Sequence, residues 1–352
     1  MKEQREKRVV VIGAGIVGAS LAYHLAVKGA SVTLVEAADI ASGVTATSFA
    51  WITTSHRGPD PIAALRGEAI NDYHRLETQL PGLNIRWTGA LSYGANSRAL
   101  QQPSAHRLSR SQILDLEPNL KNPPEHALYV AEEGALDAVH ATHTLVGGAQ
   151  TLGAKVLTQT QVLGFKTANG RVTGVETAKG IIDADVVVMA AGTGISTLAD
   201  MLGAPLPIHA SPSIFIRYTA QSNLVQTLIS SPEMEVRQAA DGTLLAAEDY
   251  LGDAVENQPM AIALRTANTI RHELHGVDSI EPELACIGLR PIPADNLPII
   301  GYLPNVEGVY ICVMHPGVAL AAIVGRLASE EINDGKTSTA FGPCRPDRFF
   351  QL

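Results

Sequence analysis

RVVVIGAGIVGASLAYHLAVKGASVTLVE, residues 8–36, is the stretch that decides the fold. Arg8–Ile12 is a short β-branched run, the pattern of a parallel strand buried on both faces. The glycines Gly13, Gly15 and Gly18 punctuate the turn that follows. Ala19–Lys28 reads as a helix stopped by Gly29, and Ser31–Glu36 as a second strand. Strand, glycine turn, helix and strand in this order make the first half of a doubly wound sheet. In such a unit Gly13 permits the tight turn, Gly15 lets backbone N–H groups approach a pyrophosphate, and Gly18 lets the helix close onto the strand. Glu36 ends the second strand, where an acid accepts hydrogen bonds from an adenosine ribose and repels a 2′-phosphate, which disfavours NADP. A GxGxxG run alone is weak evidence; set between a strand and a helix with this acid beyond, it points to a dinucleotide site.

Outward from that unit, Asp60–Leu80 and Ala138–Leu152 read as helices. Residues 87–129 read as short strands with proline turns. Three β-rich runs, turning at Asn169-Gly170 and Lys179-Gly180, precede a buried strand over Asp185–Ala190. Strands dominate 206–285, with one helical stretch near Ala267–Leu274. The chain closes on a strand, Gly308–Val313, a turn at His315-Pro316-Gly317, and a helix over Val318–Asn333. The expected architecture is α/β: a discontinuous Rossmann-type domain (1–85, 137–205 and 286–352) with an inserted, mostly antiparallel β substrate domain (86–136 and 206–285).

At 352 residues the chain is long enough for two domains. With 46% hydrophobic and 17% charged residues it has an ordinary globular composition. A formal charge of -9 argues against nucleic acid or an anionic lipid surface as partner. Cys286, Cys312 and Cys344 are few and far apart, which excludes a disulfide framework and fits a reducing, cytoplasmic compartment. The basic start before an apolar run resembles a signal peptide, but that run carries the fingerprint the fold must keep, so no cleavage is expected. No stretch reaches the apolar length of an integral membrane segment. His140 with His143, and His272 with His275, have helical spacing without acid or cysteine partners; they read as solvated faces, and no metal is expected.

The fingerprint does not separate NAD from FAD. Two other features favour FAD: the small polar loop Ala41–Ser48 directly after Glu36, and the strand VVVMAAG, residues 186–192, ending in small residues that let a cofactor pass close to backbone.

These segments, with LSRSQILDLEPNL, GLRPIPADNLPIIG and VYICVMHPGVALAAIVGRLASEEI, resemble the FAD-dependent amino acid and amine oxidoreductases that include D-amino acid oxidase, glycine oxidase and sarcosine oxidase. The resemblance spans nearly the whole chain and is weakest around 87–135 and 206–285. It implies FAD contacts at Gly13, Gly15, Ile16, Val17, Gly18 and Glu36, at Ser42, Gly43, Thr47 and Ser48, at Val162, Ala191 and Gly192, and at Gly317, Val318, Ala319 and Leu320. A helix start at the last group suits the negative charge of a reduced flavin. The sarcosine oxidase branch attaches its flavin through a cysteine after the return from the substrate domain; LRPIPADNLPIIG has none, so noncovalent FAD is expected.

On the substrate side, Arg290 matches the family arginine that grips a substrate carboxylate with its planar two-donor fork. A salt-bridged arginine at a domain edge is the competing reading. His315, before the turn, is a candidate for substrate contact or proton control, against a plain solvent-facing histidine. Tyr250 is a candidate pocket residue from the β domain, and Trp51 a ring neighbour or plain core. The expected activity is oxidation of the C–N bond of a small amino acid or secondary amine by hydride transfer to flavin N5, the imine then hydrolysing. Oxygen or another acceptor is left open. So are a homo-oligomer, a flavoprotein dehydrogenase of a 2-hydroxy acid, and an FAD-binding subunit of a heteromeric dehydrogenase.

Overall fold

A computed structural model describes residues 6–54, 56–57, 60–94, 100–101 and 104–350; the first five residues of the basic start, and 95–99 of the expected β domain, lie outside them. The strands that build the site are β1 (Arg8–Ile12), β2 (Ser31–Val35), β3 (Trp51–Ile52), β4 (Lys155–Leu157), β5 (Val186–Met189), β6 (Ile208–Ala220), β7 (Leu244–Asp249), β8 (Ile280–Pro293), β9 (Ile299–Tyr302) and β10 (Val309–Val313). The helices are α1 (Ile16–Val27), α2 (Ala63–Gln79), α3 (Ala138–Thr151), α4 (Pro259–Glu273) and α5 (Gly317–Ser329).

One sheet has the order β4-β2-β1-β5-β10-β9, parallel except for β9 on β10. Val9, Val10 and Val11 are all buried, as a strand covered on both faces requires. Helices α1, α3 and α5 share one core with Val9 and Val11, while Val10 and Ile12 enter a second core on the opposite face. Helix α1 begins at Ile16, earlier than the apolar periodicity implied, because Gly15 serves as its N-cap and Gly18 lies inside the first turn.

A second, eight-stranded sheet carries β8-β6-β7 at one edge. Its alternate residues Ile214, Ile216, Leu244 and Ala246 bury against α4, so the residues between them face the other way. Helix α4 starts at Pro259, well before Ala267; proline is tolerated at the first helical position because its missing N–H would have no helical acceptor there. Strand β8 pairs with β6 from Ile280↔Ala220 to Pro293↔Ile208. It therefore crosses position 286 without a break, and the chain returns to the first sheet only after Pro293. No helix among the described residues is long and apolar enough to cross a membrane.

Candidate active site

The two sheets face each other across a cavity of about 1070 Å³, at the upper end of the roughly 300–1,000 Å³ usual for small-molecule pockets. One half is the turn after β1. Gly13 has φ 103°, a left-handed conformation only glycine takes readily, and a Cβ there would come 2.6 Å from the Ala190 carbonyl oxygen. The ends of β1 and β5 thus touch, and Gly15, Ile16, Val17, Ala191 and Gly192 open onto the cavity. Nothing acidic stands in the first turn of α1. The Ile16 amide donates to Thr45 Oγ1 at 3.1 Å. The other first-turn amides have no acceptor within the helix, so the positive end of α1 meets the cavity.

Glu36 is held at the tip of β2 by its own carboxylate. Oε2 accepts from the Ala14 amide at 2.7 Å and Oε1 from the Ala38 amide at 2.9 Å. Its remaining lone pairs border the cavity, as do Ser42, Gly43, Thr47, Ser48 and Val162. At the far end Gly317, Val318 and Ala319 bring the start of α5, again without an acid in the first turn. Two helix N-termini, one fixed acid and walls of small residues fit an extended dinucleotide whose phosphates are anionic and whose ribose is a donor. Two residues expected to touch it do not line the cavity. Gly18 is turned onto Gly13, filling the close helix–turn contact. Leu320 points into the core and is fully buried, because one residue beyond Ala319 the helix has rotated its side chain inward.

The substrate sheet contributes Arg290. It stands on β8 opposite Ser211; Nη2 donates to Ser211 Oγ at 3.1 Å and to the Pro212 carbonyl at 3.2 Å. No acidic side chain among the described residues pairs with it, so the salt-bridged reading fails and a cation faces the cavity. His315 stands nearby, its exposed surface belonging to the cavity wall. Burial, then the charges of Arg290 and Arg66, bring its pKa down from 6.5 to about 4. The imidazole is therefore neutral at physiological pH. Affinity for a simple carboxylate should accordingly stay flat from about pH 6 to pH 8, above the ligand's own titration, measured by flavin absorbance titration. A gain as pH falls through 6.5 would mean that His315 takes up a proton there.

Tyr250 does not line the cavity. Its hydroxyl bonds Asp253 in the following loop, and Asp249, one residue earlier, has the cavity-facing position. Trp51 does line it, with its indole N–H donating to Glu133 at 2.8 Å. Arg66, Thr45, Thr53 and Asp249 are wall residues that sequence reasoning did not single out. Gly288 was also missed: a Cβ there would overlap Thr47 Oγ1, so the substrate sheet closes directly onto the 41–48 loop.

The family model for FAD dependent oxidoreductases matches residues 8–331. The chain belongs to that family. The oxidoreductase is 23% identical to the glycine oxidase of Pseudomonas putida, over 97% of this chain and 98% of that protein. Among solved structures, L-proline dehydrogenase from P. horikoshii superposes with a TM-score of 0.85 at 22% identity, covering 98% of each chain. Glycine oxidase from Bacillus cereus superposes with a TM-score of 0.83 at 22% identity, over 95% of this chain and 98% of that one. These likenesses establish the flavoenzyme fold, with a Rossmann FAD-binding part and a substrate part built on antiparallel sheet.

Proposed function

We propose that this oxidoreductase oxidises the C–N bond of a small amino acid or secondary amine whose carboxylate is held by Arg290. The observation that carries the reading is a guanidinium that has no acidic partner among the described residues and lines, from the substrate sheet, the same cavity as the glycine turn and the start of α5. The glycine oxidase relative, acting on an amino acid as its name states, supports the same reading.

FAD, when bound, supplies the two-electron acceptor for the hydride that leaves the substrate carbon. The chain's own groups do the rest. Arg290 fixes the carboxylate, and with it the direction in which the adjacent C–H points. The substrate reacts as the neutral amine, whose lone pair forms the C=N bond as the hydride leaves. Neutral His315 adds no charge that would oppose this. The imine then takes up water to give a carbonyl compound and an amine or ammonia.

FAD is held noncovalently in this reading. Cys286 donates toward the Phe215 carbonyl at 3.9 Å and is not a wall residue. Burial pushes the Cys312 thiol up, away from the nucleophilic thiolate. Acid precipitation should leave the flavin in the supernatant.

The test is anaerobic mixing of the holoenzyme with D-, L- and N-methyl amino acids and with 2-hydroxy acids. Bleaching of the flavin by amino acids or amines is the expected result; bleaching by 2-hydroxy acids alone overturns it. Arg290→Ala should raise the concentration of substrate needed for half-bleaching by about 10–100-fold, the worth of a charge-assisted hydrogen-bond pair.

A further inference from the structure

Arg66, on the first turn of α2, reaches the same cavity as Arg290 and His315. Its side chain is 18% exposed, and that of Asp60 beside it 6%. Asp60 Oδ2 accepts from Arg66 Nε at 2.9 Å, while Oδ1 accepts from the Ile62 amide at 3.2 Å. The carboxylate is thus fixed by the backbone at the helix start and grips the guanidinium by its inner edge. No acceptor among the described residues meets Nη1 or Nη2. An arginine whose only task was the ion pair with Asp60 would not have to present its two-donor edge to a cavity.

Arg290, on β8, shows the same condition. Its partners are a hydroxyl and two carbonyls, none of them negative. Arg66, Arg290 and His315 line the same cavity, and both cations lie close enough to disfavour a charge on the imidazole. Glu233 and Asp249 border the cavity on the substrate-sheet side and are exposed. An anionic ligand is repelled there and drawn toward the arginines, so the cavity has a polarity.

We infer that Arg66 is a second carboxylate anchor and that the preferred substrates are amino or imino acids carrying two carboxylates. This rests on the reading of Arg290 as the first anchor. One carboxylate lies on Arg290 and the other on the Nη edge of Arg66, with the C–N bond in the span between them. Asp60 is a positioning residue: it removes rotational freedom from the guanidinium before the ligand arrives. A guanidinium shared by two carboxylates uses its separate donor edges, which a lysine ammonium does not have.

The experiment titrates the holoenzyme with propionate and with malonate, succinate and glutarate, reading the shift of the flavin absorption bands rather than turnover. At least one dicarboxylate should bind about tenfold more tightly than propionate. Arg66→Met should bring the ratio of the two affinities toward one, and Arg66→Lys should leave it between the two extremes. Dicarboxylates that bind no more tightly than propionate to the unaltered enzyme overturn the inference, whatever the variants do. So does Arg66→Met weakening both ligand classes by the same factor, which marks a structural ion pair. If propionate itself gives no competitive, Arg290-dependent shift, the first anchor is wrong and the inference falls with it. A propionate response without a dicarboxylate advantage leaves Arg290 standing and removes only Arg66.

Discussion

Gly18→Ala should purify without its yellow colour. A Cβ at position 18 would overlap the Gly13 carbonyl oxygen, and would lie 3.0 Å from the Gly13 carbonyl carbon and 3.5 Å from Ala190 Cβ. Gly13 has no room to yield. Its φ is already 103°, its amide donates to the Val35 carbonyl at 2.8 Å, and its own Cβ position is blocked by Ala190 and Ala191. The strain must therefore move α1, and the residues at its start, Gly15, Ile16 and Val17, line the cavity where the proposed reading puts the phosphates. Overpacking at such a contact costs about 1–3 kcal/mol or more. Because the displaced amides are also the anion site, the loss falls on cofactor affinity as well as on stability. The ratio of flavin to protein absorbance should drop by roughly tenfold or more. Gly67→Ala in α2 is the control, since a Cβ there meets nothing within 4 Å; it should keep its flavin and gain about 0.5–1 kcal/mol of stability. A Gly18→Ala protein that keeps its full complement of flavin would remove the close-contact argument.

That prediction was legible in the sequence because the Rossmann unit is local. Its strand, turn, helix and acid are consecutive, and the close contact of Gly18 with the Gly13 carbonyl lies within the unit itself. The β8 edge was not legible in this way. Nothing in GLRPIPAD marks a change of sheet, since the pairing is decided by register with β6, some seventy residues earlier in the chain. A boundary drawn at 286 therefore falls inside strand β8, which carries Arg290 beside β6.

The cavity wall shows the same division. Glu36 could be placed because it ends a strand of known position. Arg66 could not: a polar helix start with one arginine looks like any solvated surface, and only its ion pair with Asp60 and its place on the cavity wall reveal it. Thr45 lay inside the loop that drew attention, yet its use as acceptor for the Ile16 amide depends on how that loop folds back. Tyr250 failed for a reason of alternation. On β7, Leu244, Ala246 and Glu248 turn toward α4, with Glu248 accepting from Thr266 Oγ1 at 2.7 Å, so Ala247 and Asp249 take the cavity face. Counting back from a known inward residue would have chosen Asp249.

Glu133→Leu should be among the most damaging single changes outside the glycine turn. Glu133 is 0% exposed, and its carboxylate gathers the strand that crosses the cavity wall. Trp51 Nε1 donates to it at 2.8 Å, Thr53 Oγ1 at 3.0 Å, the Thr54 amide at 2.8 Å and Thr54 Oγ1 at 3.2 Å. Trp51 and Thr53 line the cavity, and β3 is only two residues long, pairing at Trp51↔Ala135 and Ile52↔Gly134. So short a ladder does not hold its own position; the carboxylate does. With leucine in its place the hydroxyls can rotate toward other acceptors, but the indole and Thr54 N–H groups cannot. An unsatisfied buried donor costs about 1–3 kcal/mol; the Thr54 amide bears that cost and the half-buried indole, at the cavity wall, bears less of it, so the change should remove about 1–4 kcal/mol of stability. Glu133→Gln separates the contributions. Its oxygen can still serve Thr53 and Thr54, but its NH2 opposes the indole N–H, so stability should fall less while Trp51 is displaced. Thermal unfolding read together with tryptophan emission distinguishes these effects. If Glu133→Leu unfolds at the same temperature as the unaltered protein, the four hydrogen bonds do not brace the wall. If Glu133→Gln leaves the emission unchanged, Trp51 is held by packing instead.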